Sequence, residues 1–167
     1  MIAYPTEAVF GLGCDPLDPL AVSHILRIKR RPVEKGLILI AANFDQLRPY
    51  LGAIPAEILD PVMRSWPGPN TWLLPAATGL PTWIRGTHAT VAVRVTGHPL
   101  AAALCRACGS PLISTSANPG SFAPAQSALG VRHYFGDEVD MILHGKLGEQ
   151  ERPTAIRNAL DLNLVRA

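Results

Sequence analysis

An uninterrupted apolar run constrains the fold of this chain more than any other stretch. Residues 37–42 read Leu-Ile-Leu-Ile-Ala-Ala and directly follow Gly36. A run of this length is typical of a strand that is buried on both faces of a sheet. The run therefore predicts a sheet with helices packed on it.

Helical and extended patterns alternate along the chain, which predicts an α/β fold. The predicted helices cover residues 18–31, 43–51, 55–65, 98–108 and 127–135. The predicted strands cover residues 2–4, 37–42, 71–75, 90–95, 112–115, 141–144, 155–157 and 162–165. No repeat or linker divides the sequence, so we expect one domain, residues 1–167, with a twisted mixed sheet flanked by helices.

The composition fits a folded protein of the cytoplasm. Hydrophobic residues make up 48% of the 167 residues and charged residues only 17%, which excludes a disordered chain. No apolar run approaches the roughly 18 residues that a membrane span needs. The three cysteines cannot form a disulfide framework and fit a reducing compartment. We therefore expect a soluble, cytoplasmic protein without membrane contact.

Positive charge is concentrated in one short segment. The formal net charge is only +2, but residues 27–35 alone hold five basic residues and one acidic residue. Because a helix does not place positions i and i+2 on one face, Lys29 and Arg31 can meet one ligand only if the helix unwinds between them. Pro32 gives a reason for the unwinding. A lysine beside an arginine suits phosphate, although a solvated helix end explains the segment equally well.

A loop rich in hydroxyl groups follows the predicted strand 112–115. Residues 114–120 read Ser-Thr-Ser-Ala-Asn-Pro-Gly, and α/β folds build ligand sites at the carboxyl ends of strands. Ser116 and Asn118 alternate with their neighbours, so we expect both side chains to point into one cleft. A turn that satisfies its own backbone is the alternative interpretation.

An arginine lies within an otherwise apolar strand. Arg94 is surrounded by valine and alanine in residues 91–95, and a charge buried there is costly without a partner. A bound carboxylate would account for it, and so would an internal salt bridge. The N-terminal stretch 4–14 is predicted as a strand that breaks into a loop with two glycines, where backbone can approach a ligand closely.

Several known types of site are missing from the sequence. It has no P-loop, no complete dinucleotide-binding glycine motif and no G-x-S-x-G nucleophile elbow. The five histidines show no metal-ligand spacing, so we predict no metal site. Cys105 and Cys108 form a C-x-x-C near the end of a predicted helix, which we interpret as helix packing.

Six stretches of the chain match one known family. They are AYPTEAVFGLGCDP, IKRRPVEKGLILIAANFDQL, SWPGPNTWLLPA, VAVRVTGHPL, PLISTSANPG and ERPTAIRNAL. In this combination and order they resemble the YrdC/TsaC family of threonylcarbamoyl-AMP synthases, in its short single-domain bacterial form. The resemblance implies a YrdC-like α/β domain with a positively charged concave cleft.

The resemblance also implies an enzyme, a nucleotidyltransferase of tRNA modification. Members of the family make threonylcarbamoyl-AMP and pyrophosphate from L-threonine, bicarbonate and ATP. A partner protein complex then transfers the threonylcarbamoyl group to tRNA. ATP is thus the implied nucleotide substrate, and Mg²⁺ would accompany it.

Individual residues receive roles from the same resemblance. The implied catalytic residues are Lys29, Arg31, Ser116 and Asn118. The implied ATP-binding residues are Lys29, Arg30, Arg31, Thr90, Ser116, Asn118 and Arg166. The implied threonine-binding residues are Thr6, Arg94, Ser114 and Thr154, with Arg94 on the substrate carboxylate.

One departure from the family concerns the N-terminus. Family members carry a further helix before the strand that holds Tyr4, whereas this chain begins inside that strand. We expect the absence of that helix to expose apolar surface.

Two other functions stand as alternatives. The first is a non-catalytic factor for double-stranded RNA binding or ribosome maturation that uses the same basic cleft. An aromatic content of 6% leaves few residues for base stacking. The second is a carbamoyl-phosphate-using relative of the hydrogenase-maturation type, which the lack of acylphosphatase or zinc-finger sequence disfavours.

Overall fold

The computed structural model describes residues 1–151 and 154–166, with only the backbone of Arg166. The strands are β1 (Ile2–Pro5), β2 (Phe10–Gly13), β3 (Ile38–Ala41), β4 (Asn70–Pro75), β5 (Thr90–Val95), β6 (Leu112–Ser116), β7 (Met141–Ile142), β8 (Ala155–Asn158) and β9 (Leu164–Arg166). The helices are α1 (Pro19–Lys29), α2 (Phe44–Leu47), α3 (Ala56–Arg64), α4 (Thr82–Arg85), α5 (Pro99–Cys108) and α6 (Ala128–Phe135). None of these helices combines the length and apolar character that a membrane crossing requires.

One mixed sheet organises the described part of the chain, with nine strands in the order β7-β1-β2-β6-β3-β5-β4-β8-β9. At its centre, β3 pairs in parallel with β5 and antiparallel with β6. Strand β4 lies antiparallel to β5 and parallel to β8. The predicted α/β fold, a mixed sheet with helices packed on it, is confirmed.

The strand register separates an apolar face of the central sheet from a more polar one. Leu39 of β3 pairs with Val93 of β5, and both side chains are fully buried. Helices add to the core on this face with Val22, Ile25, Leu47 and Val62. Because side chains alternate along a strand, the opposite face carries another set, which includes Thr71, Thr90, Arg94, Ser114 and Ser116. The candidate site lies on that opposite face.

Helix α1 is bounded at both ends by its sequence. Asp18 caps it by accepting hydrogen bonds from two backbone amides of the first turn, and Pro19 follows as the first helical residue. Arg30 closes the helix in the left-handed conformation, with a φ of 51°. Lys29 is therefore the last helical residue, and the chain turns away ahead of Pro32, in line with the prediction.

The prediction of a loop between Tyr4 and Cys14 needs correction, because this stretch contains strand β2. Its glycines are positions of close approach within a paired strand. A Cβ on Gly13 would lie 2.6 Å from the carbonyl oxygen of Ile113 and 2.8 Å from the ring of Tyr4. Because β2 pairs with both β1 and β6, it brings the loop between β1 and β2 next to the end of β6.

Two smaller predictions need correction, and one helix was not predicted. The helix predicted over residues 43–51 ends at Leu47, and a 3₁₀ turn containing Pro49 follows. Helix α4 has only four residues, too few for a periodic pattern to indicate it. The last strand begins at Leu164, because Leu162 takes a φ of 60° in the preceding turn.

Shortening Leu39 tests the apolar face of the sheet. We expect Leu39→Ala to lower the free energy of unfolding by about 2–5 kcal/mol, because removing a buried side chain leaves a cavity. Leu20→Ala is the matched control, since Leu20 is 80% exposed and should change stability by less than about 0.5 kcal/mol. Urea denaturation measures both, and equal effects would contradict the assignment of this face as core.

Candidate active site

The ammonium group of Lys29 lies at the centre of the site. It donates hydrogen bonds to the backbone carbonyl oxygen of Ser116, to that of Asn118 at 2.9 Å, and to the side-chain Oδ1 of Asn118 at 3.2 Å. An ammonium has three N–H donors, so the end of β6 and the loop after it engage all three. The amide of Gly120 donates in turn to the Lys29 carbonyl oxygen at 3.0 Å. The end of α1 and this loop are thereby held together.

The charge of Lys29 is buried without an acidic partner among the residues that the structure describes. The residue is only 6% exposed. Burial, and to a lesser extent the charge of Arg31, lowers the pKa of Lys29 to about 8. An ammonium in this setting favours an anionic ligand, which would neutralise both cations.

Arg31 reaches the same region through the turn after α1. Its guanidinium donates from Nε and Nη2 to the carbonyl oxygen of Gly36, at 3.0 and 2.8 Å. Gly36 has a φ of 61°, and a Cβ there would lie 2.7 Å from the carbonyl oxygen of Ile84, so the position requires glycine. The predicted unwinding between Lys29 and Arg31 is confirmed, and both residues line one cleft.

The loop after β6 lines the cleft and also hydrogen-bonds to itself. Ser116 and Asn118 line the cleft, and the Ser116 hydroxyl donates to Oδ1 of Asn118 at 2.6 Å. The Asn118 side-chain amide also donates to the carbonyl oxygens of Gly120 and Phe122, at 3.0 and 2.8 Å. Asn118 therefore stabilises the loop from within, while Ser116 is a partly exposed residue of the cleft wall.

The cleft itself has a volume of about 760 Å³ and crosses the polar face of the sheet. Leu73 and Ala92 contribute apolar side chains to it. Basic and hydroxyl residues dominate its polar lining, among them Lys29, Arg30, Arg31, Lys35, Arg85 and Thr90. None of the lining residues in the described part of the chain is acidic.

A second, smaller cavity of about 50 Å³ adjoins the cleft. The two share Ile38 and the end of β6, residues 114–116, as a common wall. Thr6, Arg94 and Thr154 line the small cavity but not the cleft. The Thr6 hydroxyl donates to the carbonyl oxygen of Val9 at 2.7 Å, which fixes its side chain within the loop between β1 and β2.

Arg94 is the charged residue of the small cavity and is only 5% exposed. Its Nη1 donates to the hydroxyl oxygens of Thr154 and Thr71, at 2.5 and 3.4 Å. Its Nη2 lies 3.4 Å from Oε2 of Glu7. An internal ion pair therefore accompanies this arginine, which was one of the two explanations for its place in an apolar strand.

The residues singled out from the sequence fall into two groups in space. Those on the cleft are Lys29, Arg30, Arg31, Thr90, Ser116 and Asn118. Those on the small cavity are Thr6, Arg94, Ser114 and Thr154, and Ser114 and Ser116 line both. The side chain of Arg166 lies outside the described residues, although its backbone pairs with Ile156 in the β8–β9 hairpin.

A comparison with known families decides the classification. The sequence model of the Sua5/YciO/YrdC family, whose description reads "Telomere recombination", matches residues 1–167. The chain belongs to this family.

Two family members illustrate how closely the sequence follows their own. The threonylcarbamoyl-AMP synthase of Halorhodospira halophila is 55% identical over 158 residues, which are 95% of this chain and 83% of that protein. The threonylcarbamoyl-AMP synthase of Alkalilimnicola ehrlichii is 55% identical over 170 residues, covering 100% of this chain and 88% of that protein.

A solved member of the family has the same architecture. The crystal structure of P. abyssi Sua5 complexed with L-threonine superposes with a TM-score of 0.91 at 34% sequence identity. The match covers 99% of this chain and 49% of the Sua5 chain, so this chain spans about half the length of Sua5.

Glu7 and Thr71 contact Arg94 from behind the small cavity, although the sequence analysis assigns them no role. Glu7 is the single acidic residue among residues 1–14 and directly follows Thr6. That isolated acid, set against an arginine in an apolar strand, is the signal that could have paired the two. Thr71 gives no such signal, because a threonine in a strand is ordinary.

Replacing Gly36 tests the turn that holds Arg31. We expect Gly36→Ala to lower the free energy of unfolding more than Gly79→Ala. Both glycines have a positive φ, but only a Cβ at position 36 would meet neighbouring backbone. The penalty for the unusual backbone, of order 1–3 kcal/mol, is shared by both. Thermal denaturation of the two variants gives the comparison, and equal losses would show that the close approach to Ile84 is unimportant.

Proposed function

We propose that this protein is a threonylcarbamoyl-AMP synthase, which forms threonylcarbamoyl-AMP and pyrophosphate from L-threonine, bicarbonate and ATP. The observation that carries the proposal is the buried ammonium of Lys29, which lacks an acidic partner among the described residues and lies in a cleft lined by further cations. The names of the relatives, 55% identical over nearly the whole chain, support it.

The reaction requires two ligands to meet. The amine of threonine attacks the carbon of bicarbonate and, with loss of water, gives a carbamate. A carbamate oxygen then attacks the α-phosphorus of ATP, and the bond to the β-phosphate oxygen breaks to release pyrophosphate. Neither step needs a covalent enzyme intermediate, so the protein has to position the reactants and neutralise charge.

The large cleft is the proposed site of the triphosphate. Lys29 and Arg31 face it from the end of α1 and would stabilise the charge that develops on the phosphates. Arg30 and Thr90 also line it and would contact the nucleotide. The surplus of basic residues in the lining makes this a positively charged cleft in our proposal, as triphosphate binding requires.

Binding of ATP would change the partners of Lys29. All three N–H donors already have acceptors at the end of β6 and in the loop after it, so the phosphate must replace one of them. Oδ1 of Asn118 has the longest of these contacts, at 3.2 Å, and already accepts from the Ser116 hydroxyl. We expect Lys29 to exchange this contact for a phosphate oxygen.

The small cavity is the proposed site of threonine. Arg94 would hold the carboxylate, and Thr6, Ser114 and Thr154 line the same space. Sua5 from P. abyssi, which shares this fold, has been solved with L-threonine. Since residues 114–116 form a wall common to both cavities, a carbamate formed on threonine would lie next to the phosphates.

A metal site of the protein's own does not fit the residues present. Across residues 1–151 and 154–166, no group of three or more histidine, cysteine, aspartate or glutamate side chains is placed to hold a metal ion. Mg²⁺ would therefore be bound by the triphosphate oxygens and water when ATP binds. None of the steps above depends on it.

The product also needs a recipient. In our proposal residues 1–167 act as one YrdC-like domain in the cytoplasm and pass threonylcarbamoyl-AMP to a partner protein complex that modifies tRNA. The same proposal assigns Arg166 a contribution to ATP binding. It also includes direct contact of this chain with tRNA or double-stranded RNA.

Pyrophosphate release tests the proposed function directly. We expect release to require L-threonine, bicarbonate and ATP together. Lys29→Ala and Arg31→Ala should each lower turnover by a factor on the order of 100 or more, because each removes a cation from the transition-state charge. Arg64→Ala, which removes an exposed arginine from α3, is the control. It should release pyrophosphate at the wild-type rate. Salt-sensitive RNA binding without any turnover would favour the RNA-binding alternative instead.

The affinity for ATP should report the charge on Lys29. Because its pKa is lowered to about 8, the free protein loses this positive charge as the pH rises through that value. We expect the Kd for ATP to be nearly constant from pH 7 to 8 and then to rise, approaching about tenfold per pH unit. Calorimetric titrations of wild type and Lys29→Gln with ATP measure the Kd at each pH. The variant should bind ATP weakly at every pH, and its Kd should not rise above pH 8. A flat wild-type profile up to about pH 9.5 would contradict the assignment.

A further inference from the structure

Glu7 is a buried carboxylate behind the proposed threonine cavity. It is 6% exposed and lies in the loop between β1 and β2, one residue after Thr6. It does not line the small cavity, whereas Arg94 does. Any influence of Glu7 on a ligand there must therefore pass through Arg94 or through the loop.

The two carboxylate oxygens of Glu7 face different partners. Oε1 accepts hydrogen bonds from the hydroxyl of Thr96 at 2.7 Å and from the amide of Gly97 at 3.2 Å. Oε2 lies 3.4 Å from Nη2 of Arg94 and has no hydrogen-bond partner among the described residues. The first oxygen anchors the side chain to the turn after β5, and the second presents its charge to Arg94.

An inventory of the Arg94 donors shows what remains for a ligand. A guanidinium has five N–H groups. Nη1 is directed at Thr71 and Thr154, and Nη2 faces Glu7. Nε is buried and lacks a partner in the described structure. Arg94 lines the small cavity, and a guanidinium can bind a carboxylate through two parallel N–H groups.

The backbone around Glu7 is held as firmly as its side chain. Its carbonyl oxygen accepts from the amide of Gln150, and that of Thr6 accepts from the amide of Gly148, both at 3.0 Å. A Cβ on Gly148 would lie 2.7 Å from the Glu7 carbonyl oxygen, so the two segments are in close contact. Two separate segments therefore hold Glu7, residues 96–97 through its carboxylate and residues 148–150 through its backbone.

We propose that Glu7 is the positioning residue for carboxylate recognition by Arg94, and that it sets the affinity of the small cavity for the amino acid. The proposal rests on the proposed function, in which Arg94 binds the carboxylate of threonine. Glu7 compensates the charge of the buried guanidinium and fixes its orientation, so that Arg94 stays at the wall of the small cavity. Without that charge, Arg94 would turn toward other acceptors.

Glu7→Gln separates this role from a general structural one. The amide oxygen of glutamine can keep the bonds from Thr96 and Gly97, but its NH₂ group would face Nη2 of Arg94, donor against donor. We expect the KM for threonine to rise at least tenfold while the KM for ATP stays within twofold. Glu7→Asp restores the charge and should recover part of the loss. Glu57→Gln, on the exposed surface of α3, is the matched control. Its KM values for threonine and ATP should equal those of the wild type.

Thr96→Val is the second variant, in case Glu7→Gln folds poorly. It leaves the charge in place but removes one of the donors that anchor it, so the KM for threonine should rise severalfold and the KM for ATP should not. Unaltered threonine KM values in folded Glu7→Gln and Thr96→Val would overturn the proposal, and so would equal rises for both substrates. Wild-type protein without turnover would instead contradict the proposed function itself.

Discussion

The buried ammonium of Lys29 joins the two parts of the molecule that form the cleft. It ends helix α1 and hydrogen bonds to three oxygens at the end of β6 and in the loop after it, which ties the two parts together. Dipoles of carbonyl and amide groups replace the water that burial removes, but no described acidic side chain balances the charge. A structure that keeps such a group charged is organised to receive an anion.

The sheet register explains why the two cavities adjoin. Ser114 lies beside Ile38, and Ile38 lies beside Ala92, two residues before Arg94 in β5. The same pairing buries Leu39 and Val93 on the opposite face. One set of strands therefore supplies a rigid core on one side and two adjoining binding surfaces on the other, and this arrangement suits a reaction that joins an amino acid to a nucleotide.

Local sequence signals were enough to predict part of the site, but not the contacts between distant segments. Pro32 predicts the unwinding that brings Lys29 and Arg31 to one cleft, because proline restricts the residue before it. The pairing of Glu7 with Arg94 depends on β2 returning the chain to β6, and β2 was hidden by glycines that are typical of loops. Loop glycines and close-approach glycines look alike in sequence, since only the folded neighbours distinguish them.

The central claim is that Lys29, Arg31 and Arg94 bind a triphosphate and an amino acid side by side. A crystal structure with a non-hydrolysable ATP analogue and L-threonine tests it most directly. The account predicts phosphate oxygens within about 3 Å of the Lys29 and Arg31 side chains, and the threonine carboxylate on the guanidinium of Arg94. Phosphates bound elsewhere, with Lys29 still on all three of its loop acceptors, would contradict it.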